Sequence, residues 1–160
     1  MQQNYLLESK ASALYAGTYP MKKQTRSNCP ISYSLEVFGD KWTLLILRDL
    51  LVRKKRYYQD FLNSDEGIAT NILADRLKAL LDNGLVTKTD NPDNRRQTIY
   101  SPTKKAIALL PVLGEVAKWG LMFGEKKKDR SLKALMNNYE GFRKEVRGVY
   151  KKELEELEKG

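Results

Sequence analysis

The segment Thr70 to Pro102, TNILADRLKALLDNGLVTKTDNPDNRRQTIYSP, decides the fold. From Thr70 to Asn83, Ile72, Leu73, Leu77, Leu80 and Leu81 recur at helical spacing and make one apolar stripe. Thr70, Asn71, Ala74, Asp75 and Lys78 fall mostly on the opposite side. Gly84 then stops the helix as a left-handed cap. Leu85 to Thr89 alternates as a strand, Asn91-Pro92-Asp93-Asn94 reads as a turn, and Gln97 to Ser101 returns with the strand formers Thr98, Ile99 and Tyr100. Arg95 and Arg96 lie between the two strands. An amphipathic helix with a polar outer face, followed by a hairpin with a basic tip, is the latter half of a winged helix-turn-helix.

The first half lies upstream. Tyr57 to Leu62 predicts a short helix with Tyr58, Phe61 and Leu62 facing inward, and Asn63 to Gly67 a turn. A basic turn, Arg53 to Arg56, precedes it. Before that, Asp40 is placed to cap a helix from Lys41 to about Val52, apolar over enough of its surface to sit near the centre of a core. Pro30 suits the first position of a still earlier helix carrying Ile31, Leu35, Val37 and Phe38, because it has no amide hydrogen to leave unpaired. Downstream, Thr103 predicts a cap for a helix reaching Gly124, with Pro111 kinking or interrupting it. Leu132, Leu135, Met136, Tyr139, Phe142, Val146, Val149, Tyr150, Leu154 and Leu157 then recur in steps of three and four, a long helix with one narrow apolar seam.

The expected fold is therefore mainly α with a small β-hairpin wing: a winged helix-turn-helix with a long C-terminal helix. Residues 1–28 form an N-terminal arm or short helix, 29–124 the winged-helix domain, and 125–160 a helical extension. The extension's seam needs cover, from a second chain or from its own subunit, and dimerisation is the reading preferred.

Composition narrows the chemistry. The 160 residues carry 29 Lys and Arg against 20 Asp and Glu, net +9, which draws the chain towards polyanions. The stretch from Lys41 to Lys105 holds 13 basic and 8 acidic residues, so more than half of that excess lies on the candidate reading head. No histidine occurs, which excludes His-ligated metal sites, Ser/His/Asp triads and histidine general bases. The single cysteine, Cys29, excludes an internal disulfide and a Cys-rich zinc site. With no Gly-rich phosphate loop or nucleophile elbow either, no catalytic residue, metal or cofactor is expected. Leu44 to Val52, read as the most apolar stretch, is far shorter than the ~20 residues of a membrane span. A soluble cytoplasmic protein without a membrane partner is the expectation.

In order along the chain, CPISYSLEVFGDKWTLLILRDLL, RYYQDFL, GIATNILADRLKALLDNGLV, IYSPTKKA and LLPVLGEVAKWG resemble the HxlR-type bacterial transcriptional regulators of the wider MarR-like winged-helix group. The resemblance covers roughly Cys29 to Gly120. It implies a homodimeric, sequence-specific regulator, expected to repress, with each recognition helix in the major groove of double-stranded DNA and each wing along the minor groove. Ala69 stands where the family usually carries a capping Ser or Thr, leaving Thr70 to take over as cap, and Ile99 replaces the usual glutamate before the wing tyrosine. The alternative is a basic winged-helix module that binds RNA or a protein partner.

Site expectations follow. On the recognition helix, Asn71 suits adenine, Thr70 a base or phosphate, and Ala74 a thymine methyl, with Asp75 and Lys78 on the same face. Arg95 and Arg96 suit a narrow minor groove. Lys54, Lys55, Arg56, Lys104 and Lys105 are candidate phosphate contacts, whereas Arg76 is as readily an ion-pair partner within the domain. Cys29, at a helix N-terminus with Lys22, Lys23 and Arg26 close in sequence, is a candidate redox switch, since the resemblance allows an oxidant- or electrophile-sensing cysteine; a partly buried structural thiol is the alternative. Trp42, Trp119 and Phe123 are read as core in preference to the lining of an effector pocket, and no small-molecule effector is named.

Overall fold

The computed structural model describes residues 27–124, 132, 137–151 and 154–155. Residues 1–26 of the expected N-terminal arm or short helix, and 125–131 at the start of the expected extension, lie outside them. Helix α1 spans Pro30–Phe38, with the proline in its first turn and Cys29 at the N-cap position. Helix α2, Lys41–Leu51, starts where expected: the Asp40 carboxylate accepts from the backbone N–H groups of Trp42 (2.9 Å) and Thr43 (3.1 Å), two donors a helix start leaves unpaired. Helix α3, Tyr58–Leu62, and α4, Thr70–Asp82, make the helix-turn-helix. Gly67 turns the chain between them at φ 64°.

No side chain caps α4. Ala69 occupies the N-cap position and Thr70 is the first helical residue, so the cap expected of Thr70 does not form. The Tyr58 hydroxyl instead donates to the Thr70 carbonyl at 2.9 Å, tying the start of α4 to α3. At the other end Gly84 takes φ 65°, the left-handed exit expected of it.

Strands β1, Val86–Asn91, and β2, Asn94–Pro102, pair antiparallel and extend further towards the tip than the alternation predicts. Tyr57 bridges to Ile99 from the other side of β2. Thr103 caps the short helix α5, Lys104–Ile107, through its bond from Ala106 N–H. The chain then breaks and resumes as α6, Leu110–Phe123, with Pro111 in the first turn; this is the interruption that proline predicts. Lys104–Phe123, and not Leu44–Val52, has the length and apolar character of a membrane span, but Ala108 and Leu109 divide it into two helices.

Helix α7, Tyr139–Val149, shows what covers the described part of the extension's seam within one chain. Phe142, Val146, Tyr150 and Leu154 are buried in the same core as Leu47, Leu50, Phe61, Leu73, Leu80 and Ile107. Apolar periodicity requires cover but does not specify whose; here the chain's own α5 and α6 supply it. Little apolar surface remains along this stretch of the seam for a second chain, with Val149 44% exposed.

Candidate nucleic-acid interface

Burial of Leu73, Leu77 and Leu80 fixes the rotation of α4, and Thr70, Asn71, Ala74, Asp75 and Lys78 are all left exposed. This is the polar face expected from the sequence. Lys78 donates to Asp82 at 2.7 Å, and this bond, with the Asp82 charge, raises its pKa. Arg76 lies off that face, with Nε 4.0 Å from Asp40 Oδ1, the ion-pair role weighed for it.

The wing tip is shaped by two asparagines. Asn91, 7% exposed, accepts from Asp93 N–H (3.0 Å) and donates to Gln97 Oε1 (3.2 Å), while Asn94 Oδ1 accepts from Arg96 N–H (3.2 Å). Asp90 pairs with Thr98 but Asn91 pairs with Asn94, so Arg95, Arg96 and Gln97 loop out of the ladder. Both arginines are exposed on that bulge. Strand propensity gave no sign of the irregularity, although the two asparagines flanking the turn are the signal that was available.

The candidate phosphate contacts fare differently, because most are engaged within the molecule. Lys55 Nζ donates to Asp49 (2.9 Å) and Ser64 (2.6 Å). Arg56 donates to Ser101 Oγ (2.6 Å) and lies over the Tyr150 ring, and Lys54 pairs with Glu145 of α7. Lys105 donates to the Asn83 carbonyl at 2.9 Å, which closes the end of α4. Lys104 is half-buried.

What the sequence concealed is the focus of this basic turn. Asp49, buried on α2, gathers Arg48 (2.6 Å), Arg53 (3.3 Å) and Lys55 (2.9 Å) around one carboxylate. Arg48 also grips Glu66 with both terminal nitrogens, which holds that carboxyl down at about pKa 2. The network ties α2 to the turn ahead of α4. Asp49 stands in helical register among leucines, and that was the available clue.

A second surface is apolar. Ile31 and Leu35 on α1, and Val116, Trp119, Met122 and Phe123 on α6, are all more than half exposed. The Trp119 and Phe123 rings meet tilted at 5.3 Å with Trp119 65% and Phe123 67% exposed, so neither belongs to the core as expected; Trp42 is half-buried against it. Cys29 is a free, exposed thiol beside this surface in sequence, not the partly buried alternative.

The helix-turn-helix and its wing now stand beside a sequence finding: the HxlR-like helix-turn-helix family matches residues 37–128. The chain belongs to the HxlR family. Proteins similar to it include MalR of Fusobacterium mortiferum, described as a regulatory protein, 30% identical over 62% of this chain and 94% of MalR. The transcriptional regulator YodB of Bacillus subtilis is 31% identical over 61% of this chain and 87% of YodB. Among solved structures, one described as a MarR-family transcriptional regulator of Porphyromonas gingivalis W83 superposes with a TM-score of 0.55 and 31% identity, covering 64% of this chain and 99% of that one. This HxlR protein is thus a transcriptional regulator of a DNA-binding family and not an enzyme.

Proposed function

We propose that this regulator reads a specific DNA sequence as a homodimer and represses from an inverted-repeat operator in the cytoplasm. The observation that carries the reading is the face of α4, where all five candidate residues are exposed together, with Arg95 and Arg96 exposed on the wing bulge. Residues at the start of a recognition helix reach base edges, and guanidinium groups suit the minor groove. Thr70, Asn71 and Ala74 read bases, and the lysines and arginines around Asp49 hold the frame. The apolar side chains of α1 and α6 supply the dimer face, which sets two recognition helices about one DNA turn, ~34 Å, apart.

Selection from a random duplex library, then fluorescence anisotropy on the winner at several salt concentrations, tests this. An enriched inverted repeat with steeply salt-dependent binding is expected. Equal binding of any duplex, or preference for RNA, overturns it and favours the basic-module alternative. Cys29, exposed at the start of α1, is placed for oxidation to alter subunit geometry and release DNA. Cys29→Ser should then abolish release by oxidant, and unchanged release ends the switch proposal.

A further inference from the structure

Helix α7 and the residue that ends it lie beyond residue 128, where the family match ends, yet they touch α2 and the basic turn after it at three points. The Tyr150 hydroxyl, fully buried, donates to the Leu50 carbonyl at 2.7 Å. Leu50 lies in the last turn of α2, where carbonyls lack an intrahelical partner, so Tyr150 closes the end of that helix. Glu145 pairs with Lys54, which holds φ 58°, a left-handed conformation that a lysine adopts only when its surroundings impose it. The Tyr150 ring lies 5.3 Å beneath the Arg56 guanidinium.

Arg56 carries the contact onward. Its Nη2 donates to Ser101 Oγ at 2.6 Å, and its backbone carbonyl accepts from Tyr100 N–H at 2.8 Å. Both partners lie in β2, the strand that ends in the Arg95–Gln97 bulge, and Ser101 is 2% exposed. The half-buried Arg56 therefore links buried Tyr150, at the C-terminal extension, to buried Ser101 at the base of the wing. A guanidinium held by a ring on one side and a hydroxyl on the other is fixed in plane as well as in place.

We propose that α7 is a strut for the wing, with Tyr150 a positioning residue that acts through Arg56 and Ser101 on the DNA contacts of Arg95 and Arg96. The inference rests on the reading of the wing as a DNA contact. The test uses the full chain on its selected duplex. Tyr150→Leu and Ser101→Ala are each measured in the native background and with Arg95→Ala/Arg96→Ala. Ser101→Ala breaks the path from the wing side and leaves the apolar core intact, should Tyr150→Leu fold poorly. In the native background each should weaken binding about tenfold, and in the arginine-free background neither should weaken it further, since coupled residues are not additive. Tyr150→Phe, which keeps the ring beneath the guanidinium, should restore most of the affinity.

Equal losses in both backgrounds, or no loss with Ser101→Ala, overturn the strut. Amide exchange without DNA is an independent readout: residues 98–101 should exchange faster in Tyr150→Leu while 73–80 of α4 keep their protection. Acceleration of both segments together would make Tyr150 a general core residue and refute the proposal. If Arg95→Ala/Arg96→Ala itself leaves affinity unchanged, the wing reading fails, and the exchange pattern still decides whether α7 braces the hairpin.

Discussion

Trp119→Ala should dissolve the proposed dimer while leaving the monomer folded. A tryptophan side chain carries up to about 250 Å² of surface, and with 65% of Trp119 open to solvent each protomer offers about 160 Å² to a partner. In an isologous interface the substitution counts twice, so about 320 Å² is lost, or about 8 kcal/mol at 25 cal/mol per Å². Buried area overstates association energy, because ordering and imperfect fit offset part of it; taking half leaves about 4 kcal/mol, close to a thousandfold in the dimer Kd. Sedimentation equilibrium across a wide concentration range reads that shift directly. The melting curve of the dilute variant should match that of the dilute native monomer, since the ring contributes little to the core. A dimer Kd unchanged within about threefold (~0.6 kcal/mol) would place the interface elsewhere and remove α6 from it.

Three other outcomes are expected. Asn71→Ala should cost about 1–3 kcal/mol of discrimination at one base pair of the selected site, seen as loss of preference there while binding to random duplex persists; a uniform loss on all duplexes would assign Asn71 to the backbone instead. Asp49→Ala removes the carboxylate, 3% exposed, that three cations share, and should lower unfolding stability by about 3 kcal/mol in urea; a loss below about 1 kcal/mol would mean that their other partners and water suffice. Glu66 is held by its bond from Arg48 at about pKa 2, below its ordinary 4.5, so its contribution is complete above pH 4.5 and is lost as pH falls towards 2. Its side chain is 28% exposed, and screening leaves about 1 kcal/mol of that contribution. Stability measured between pH 5 and 2 should fall less steeply in Glu66→Gln, and identical slopes would dismiss the pair.

Much of the frame was legible because its determinants are local. Pro30, Asp40, Gly84, Thr103 and Pro111 each act on backbone within a turn of themselves, and each does what its chemistry predicts. The stripe of α4 was legible for a related reason: period alone fixes which face is outward. Partners distant in sequence were not legible. Lys54 meets Glu145 across 91 residues and Lys105 meets Asn83 across 22, and composition records such charges as surplus until the fold pairs them. The seam of α7 shows the same limit, since a period requires cover without naming the cover.

Thr103 has a consequence beyond capping. Its hydroxyl donates towards the Gly84 carbonyl (2.8 Å) and lies 3.2 Å from that of Leu85, its N–H donates to Leu85, and Lys105 reaches Asn83, so three successive carbonyls at the exit of α4 are clasped by the start of α5. The reading helix and the helices leading to the apolar face are thereby hinged rigidly. In the proposed dimer, one base pair inserted between half-sites would displace a helix by about 3.4 Å and turn it by about 34°, a misfit that this clasp does not let the protein follow. Spacer length would then be discriminated as sharply as the bases themselves, and the chain would measure distance along DNA as well as read it.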